Sequence, residues 1–99
     1  MKELEHQFLE DMVWLCKEIK EVSHNPSRFI QMIGDGKEIV RVATRLVINE
    51  PTETFLRLAE LDRLDLTVEY YVSMDKYQSL FNKDVIEIAS SRLNDCRKA

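Results

Sequence analysis

The N-terminal part of the chain has the apolar periodicity of one long helix over residues 2–22. Apolar side chains recur there every three or four positions, at Leu4, Phe8, Met12, Leu15, Ile19 and Val22. This spacing places them on one side of an α-helix. Val13 and Trp14 do not fit the stripe, because at about 100° per residue they project to its far side and its flank. Either other helices cover these two residues or they belong to an interface, and they are the candidate interface residues.

Shorter periodic segments between chain breaks predict the remaining helices. Asn25 and Pro26 suit the N-cap and first position of the second helix, and Asp65 suits the N-cap of the fifth. The predicted helices cover residues 26–33, 37–48, 52–61, 66–73 and 83–96. The β-branched and aromatic residues of segment 66–72 also suit a strand, although the cap and the surrounding helices favour a helix. Residues 73–81 are a connector with room for one helical turn.

These segments together predict an all-α fold, a compact bundle of five or six short helices with one long N-terminal helix. A chain of 99 residues suits one domain over residues 1–99. The presence of only two glycines and two prolines favours long helices over a turn-rich β fold. The net charge of −4 gives no reason to expect bulk attraction to nucleic acid or to an anionic membrane.

The two cysteines bear on compartment and metal binding. Cys16 and Cys96 are far apart and lie on apolar helical faces, which indicates free thiols in a reducing compartment; a disulfide between the first and last helices is the alternative. Without a CxxC motif or a Cys/His cluster, we expect no metal site, and no cofactor is indicated. The charged N-terminus has no signal-peptide core, and no apolar run approaches the roughly 20 residues that span a bilayer. We therefore expect a cytoplasmic protein that does not enter the membrane.

A ridge of basic residues gives a candidate nucleic-acid contact. Lys37, Arg41 and Arg45 recur every four residues on the polar side of the predicted helix 37–48. They could contact phosphates as part of a helix–turn–helix, with residues 34–36 as the turn. In an acidic chain, an ordinary solvated face is the favoured interpretation.

The densest group of charged residues lies between the fourth and fifth predicted helices. We interpret Arg57, Arg63, Asp65 and Glu69 as a structural polar network at this junction. A metal or catalytic site is the alternative, but the spacing of the carboxylates opposes it, because only Asp65 and Glu69 could share a helical face. Since no phosphate loop or hydrolase motif occurs either, the chain is not expected to be an enzyme.

Five segments between residues 26 and 93 carry a resemblance to a known group of proteins. They are Pro26-Ser-Arg-Phe29-Ile-Gln-Met-Ile33, Ile39-Val-x-x-Ala43-x-x-Leu46, Phe55-x-x-Leu58-x-x-x-x-Arg63-Leu-Asp65-Leu-Thr67-Val-Glu69, Tyr77-x-x-Leu80-Phe81 and Ile88-Ala89-x-x-Arg92-Leu93. In this order they resemble an uncharacterised small all-helical bacterial domain. Such domains occur alone or appended to larger proteins, including proteins associated with mobile elements and defence. The resemblance implies an accessory module and no particular activity.

The expected function is therefore that of a non-enzymatic protein–protein interaction or accessory module, or of a small regulator linked to phage or mobile elements. Its partner is another protein or a second copy of the chain in a homodimer. The alternative is a helix–turn–helix-like DNA-binding regulator that uses the basic ridge of the predicted helix 37–48.

Overall fold

The long N-terminal helix is present with the predicted bounds. In the computed structural model, which describes residues 2–22, 30–31, 34 and 38–96, α1 spans Lys2–Val22. Acidic residues in its first turn and Lys20 in its last turn complement the helix dipole. Four members of the predicted stripe are buried, Leu4 is partly buried, and Val22 is exposed at the helix end. The apolar periodicity thus identifies the side of α1 that enters the core.

Four further α-helices and two 3₁₀ helices follow among the described residues. They are α2 (Ile39–Ile48), α3 (Glu53–Glu60), η1 (Leu64–Leu66), α4 (Val68–Val72), η2 (Asp75–Leu80) and α5 (Lys83–Cys96). No β-strand occurs in the described part of the chain, and the all-α prediction is confirmed. Most of the predicted helix 26–33 lies outside the described residues, but Ile30 and Gln31 are helical.

The core is one hydrophobic cluster to which each helix from α1 to α5, and both 3₁₀ helices, contribute. Phe8, Met12, Leu15 and Ile19 of α1 supply much of its volume. The short helix α4 packs against both α2 and α5, while α1 packs against α2 and both 3₁₀ helices. This arrangement places α4 near the middle of the bundle, and all of its residues except Tyr70 are buried.

The end of α3 turns the chain sharply toward α4. Asp62 has a positive φ of 60° and follows the last turn of α3. The backbone N–H of Arg63 donates to the carbonyl of Leu58 at 2.8 Å, and that of Asp62 donates to Ala59 at 3.1 Å. These two bonds form a Schellman motif, in which aspartate occupies the left-handed position that glycine usually takes. The motif sets the direction from which the charged segment around residue 63 approaches the core.

Two threonines cap the helices on either side of this turn, and the predicted cap at Asp65 is wrong. The Thr52 hydroxyl accepts from the backbone N–H of Phe55 at 3.0 Å, and that of Thr67 accepts from Tyr70 at 3.2 Å. Asp65 instead lies in η1, since the chain first makes a 3₁₀ turn and α4 begins only at Val68. The predicted helix 66–73 is accordingly shorter, although its helical character is confirmed.

The connector between α4 and α5 contains more structure than one turn. Residues 75–80 form η2, which carries Tyr77 into the core, where it is fully buried. Its ring meets that of Phe8 edge-to-face, with centroids 4.9 Å apart, and Phe8 also meets Phe81 at 5.3 Å. Such pairs add to the area that each ring buries. They join α1 to the segment that leads into α5.

The position of the cap can be tested by substitution at Thr67. Its buried hydroxyl also donates to the Leu64 carbonyl at 2.7 Å, so Thr67→Val removes two hydrogen bonds while keeping the side-chain shape. We expect a loss of about 1–2 kcal/mol in the free energy of unfolding, measured by urea titration. Asp65→Ala serves as the control and should cost less than about 1 kcal/mol, because its ion pair is exposed. The reverse order of the two losses would restore Asp65 as the cap.

Candidate functional site

One side of α1 faces solvent and carries both candidate interface residues. Val13 is 44% exposed and Trp14 is 48% exposed. We define the outer face of α1 by six exposed residues: His6, Glu10, Val13, Trp14, Lys17 and Glu21. Val13 and Trp14 lie on opposite flanks of this face, separated by the charged side chains along its middle. Both large apolar residues therefore keep close to half of their surface accessible to solvent.

The orientation of this face is fixed by contacts on the other side of α1. The Tyr77 hydroxyl donates a hydrogen bond to the Asp11 carboxylate, and the Lys76 ammonium lies 3.8 Å from the same carboxylate. Burial, and then the neighbouring Asp11, raise the pKa of Tyr77 above its usual value, so the hydroxyl remains a donor. Together with Phe8 in the core, these contacts prevent α1 from rotating its outer face inward.

The polar residues of the junction separate into distinct groups. Arg63 and Asp65 form a bidentate pair, with Nε–Oδ1 and Nη2–Oδ2 distances of 3.1 and 3.2 Å. Both side chains of this pair are nearly half exposed, and the hydrogen bonds from Arg63 lower the pKa of Asp65. Arg57 is exposed on α3 and pairs with neither Asp65 nor Glu69. The structure therefore brings only Arg63 and Asp65 together out of the four predicted network residues.

Glu69, the fourth of these residues, points away from the junction and into the bundle. It is buried, and its carboxylate Oε2 accepts from Nη1 of Arg92 on α5 at 2.7 Å. Burial raises the pKa of Glu69 above its ordinary value, and the hydrogen bond from Arg92 opposes that shift without cancelling it. The arginine that partners Glu69 thus comes from the last helix, 23 residues along the chain.

Arg92 uses its remaining donors on the C-terminal end of α2. Nη1 also donates to the Leu46 carbonyl at 3.3 Å, and Nη2 donates to the Asn49 carbonyl at 2.6 Å. Carbonyls at a helix end lack partners within the helix, and a cation there is favoured by the helix dipole. The guanidinium carbon also lies 5.9 Å from the centroid of the Phe55 ring on α3. One side chain therefore contacts α2, α3 and α4 from its position on α5.

The local spacing of residues in the sequence does not identify the Arg92–Glu69 pair. A signal was nevertheless present at both positions. Arg92 falls within the apolar stripe of the last helix, next to Leu93 and three residues after Ala89. Glu69 lies among apolar residues of α4, directly after Val68. Because a charge in an apolar segment must find a partner when it is buried, two such charges of opposite sign indicate a long-range pair.

The basic ridge is only partly within the described residues. Arg41 and Arg45 are exposed on α2, while Lys37 lies outside the residues that the structure describes. The Arg41 guanidinium is 3.3 Å from the carboxylate of Glu38, the residue immediately before α2. This contact offsets part of the positive charge of the ridge.

The remaining reactive side chains are dispersed. Cys16 and Cys96 are free thiols, and burial raises the pKa of Cys16 to about 11. Within the described ranges, no three histidine, cysteine, aspartate or glutamate side chains are grouped so that they could hold a metal ion. None of the helices in the described part of the chain is long and apolar enough to cross a membrane.

Comparison with known proteins adds no relative from which a function could be transferred. No family model matches the sequence, and no curated protein or solved structure is significantly similar to the chain.

The energetic role of the buried pair can be measured with a double-mutant cycle. Arg92→Met leaves Glu69 buried without its counter-ion and two carbonyls without donors, so we expect a loss of about 3–5 kcal/mol in unfolding free energy. Glu69→Gln should cost less, because the amide oxygen can still accept from Arg92. The double variant should be more stable than the sum of the two single losses indicates. Simple additivity in urea titrations would show that the two groups do not interact.

The raised pKa of Glu69 predicts a specific pH dependence of stability. The folded protein holds the Glu69 proton more tightly than the unfolded chain, whose glutamate has the ordinary pKa of 4.5. The stabilisation from this proton is complete below that value and disappears as the pH rises through the folded-state pKa. Wild type should therefore gain stability relative to Glu69→Gln when unfolding is measured at pH 4 instead of pH 7. A difference that shrinks on acidification would contradict this sign.

Proposed function

We propose that this chain is a non-enzymatic protein–protein interaction module that binds another protein chain through the outer face of α1. The observation that carries the proposal is the exposure of Trp14, which keeps 48% of its surface accessible in the middle of the longest described helix. Tryptophan is a large side chain that is usually mostly buried, and it is enriched among residues that dominate binding energy. Covering it by a partner would remove this apolar surface from water.

The architecture of α1 supports this use of its outer face. Phe8, Met12 and Leu15 bury the opposite side, and Asp11 is held by the residues of η2. A partner would therefore meet a face whose backbone is already ordered by the core. A preorganised surface loses little conformational entropy on binding. An accessory role within a larger assembly, such as a regulator linked to mobile elements, is compatible with so small a binding element.

The charged groups of the protein support a structural role more than a catalytic one. Arg63 and Asp65 neutralise each other at the surface, and Glu69 and Arg92 do so in the interior. The Arg92 donors that do not reach Glu69 bind main-chain carbonyls. Each of these groups therefore has a partner in the fold itself, so that no substrate is needed to explain its position.

DNA binding through α2 has weaker support. Of the three ridge residues, Arg41 is paired with Glu38, and Arg45 supplies the remaining described cation. Protein–DNA complexes usually form several phosphate contacts, which make affinity fall steeply with salt. Salt-sensitive retention on duplex DNA that is lost in an Arg41→Ala/Arg45→Ala variant would favour this alternative.

The proposed interaction can be tested by comparing variants of equal exposure. Wild type, Trp14→Ala and Leu56→Ala are immobilised and incubated with an extract of the source organism and with untagged wild-type protein. Leu56 is the matched control, because it is 49% exposed and lies on α3. We expect a chain, of either origin, to bind wild type and Leu56→Ala while losing at least about tenfold in affinity for Trp14→Ala.

The same experiment contains the result that would reject the proposal. If no protein, including the chain itself, binds in a way that depends on Trp14, the outer face is not an interaction surface. Circular dichroism of the three variants shows whether the helices remain intact. Because Trp14 is half-exposed, its replacement should leave the helical spectrum unchanged.

A further inference from the structure

We infer that the partner is a second copy of this chain, docked antiparallel along the outer face of α1 with a twofold axis that passes between Val13 and Trp14. This inference rests on the proposed function, since it names the occupant of the same face. It is carried by the order of charges along the outer face. When a second copy lies antiparallel, the Glu10 carboxylate of each copy is level with the Lys17 ammonium of the other.

Glu10 and Lys17 lie symmetrically about the centre of the outer face and carry opposite charges. Glu10 precedes the centre by as many residues as Lys17 follows it, and the His6 imidazole and the Glu21 carboxylate are spaced symmetrically in the same way. All four side chains are exposed. An axis at the centre therefore brings Glu10 of each copy to the level of Lys17 of the other. This gives two equivalent ion pairs in one dimer, as isologous symmetry requires.

The geometry of the helix places these residues where a second helix would lie. At about 100° per residue, Glu10 and Lys17 are only about 20° apart around the helix axis, so that both point along the middle of the outer face. They are separated by seven residues, or about 10.5 Å along the axis. This distance is too long for them to pair with each other in one helix. Each therefore keeps its charge available for a side chain on the facing copy.

The existing contacts leave room for this pairing. Glu10 lies 3.2 Å from the His6 imidazole, but both side chains are about two-thirds exposed. Lys17 forms no ion pair with another residue of the described part of the chain. A carboxylate has two oxygens, so Glu10 can keep His6 as a neighbour while it accepts from Lys17 of the second copy.

The apolar residues complete the centre of the same arrangement. Trp14 projects from one flank of the outer face and Val13 from the other. The twofold axis conserves these flanks, so the two Trp14 side chains meet on one side of the helix pair and the two Val13 side chains meet on the other. The surfaces that are 48% and 44% exposed in the single chain are then covered by their own equivalents. Apolar contact thus lies midway along the helix pair, and one Glu10–Lys17 pair lies on either side of it along the helix axis.

A parallel arrangement of the same face would be unfavourable. It would place Glu10 opposite Glu10 and Lys17 opposite Lys17, so that like charges would meet at both levels. The order of charges thus selects the antiparallel orientation. Because one helix per copy forms the contact, we expect a small interface and a dimer that dissociates reversibly with dilution.

Charge exchange at the two central positions tests the inference. Sedimentation equilibrium is measured over micromolar to millimolar concentrations for wild type, Lys17→Glu, Glu10→Lys and the double variant Glu10→Lys/Lys17→Glu. Each single variant replaces two attractive pairs by two repulsive ones, so its dimer dissociation constant should rise about tenfold or more. The double variant restores opposite charges at each level and should return to within about threefold of wild type.

Three further measurements sharpen the result. Lys83→Glu changes the net charge as Lys17→Glu does, but Lys83 is exposed at the start of α5 and does not belong to the outer face, so this control should dimerise like wild type. An equimolar mixture of Glu10→Lys and Lys17→Glu should form heterodimers, although each variant alone is mainly monomeric. Raising the salt concentration should weaken the wild-type dimer, since exposed pairs are screened.

Several outcomes would overturn this inference. The chain could stay monomeric at every concentration, or it could form a dimer that the single charge reversals do not weaken or the double exchange does not restore. If a monomeric chain still binds another protein in a Trp14-dependent way, the second-copy inference fails and the proposed function stands. If Trp14 matters to no binding event, both fail.

Discussion

The guanidinium of Arg92 is the interaction on which the rest of the bundle depends. It meets the buried Glu69 carboxylate of α4, two carbonyls at the end of α2 and the Phe55 ring of α3 from its own place on α5. Placing a carboxylate in the interior is costly unless a counter-charge and hydrogen bonds accompany it. An apolar contact tolerates sliding between helices, whereas this fork of donors fixes their relative positions. The pair therefore serves to specify one arrangement of four short helices that have little individual stability.

The long helix α1 is attached to this frame by different means. Phe8 packs edge-to-face on Tyr77 and Phe81, and the Tyr77 hydroxyl bonds to Asp11. The aromatic contacts contribute burial, and the polar contact sets the rotation of the helix about its axis. As a result, the division of α1 into a buried side and an outer face is a property of the folded core. Binding at the outer face would leave the four-helix frame undisturbed.

The parts of this fold that depend on local periodicity could be predicted from the sequence. The bounds of α1 and α5 and the existence of α2 and α3 follow from apolar spacing, because one helix side is buried in each case. The sequence predicts Asp65 as the cap of α4, whereas Thr67 is the cap in the structure. Both residues suit that position, and only the intervening 3₁₀ turn distinguishes them. The Glu69–Arg92 pair joins distant segments, and local spacing carries no information about which helices become neighbours. For Trp14, helical geometry gave the angular position but left open whether other helices cover it.

The two thiols differ in accessibility, so their reaction rates can report how often α1 separates from the rest of the fold. Cys16 is buried against the core side of α1, and its pKa of about 11 leaves little thiolate at neutral pH, whereas Cys96 near the end of α5 is half-buried. A thiol reagent can therefore modify Cys96 from the folded state but must wait for α1 to detach before it reaches Cys16. The ratio of the two labelling rates would report how often the first helix leaves the bundle, with no change to the amino-acid sequence.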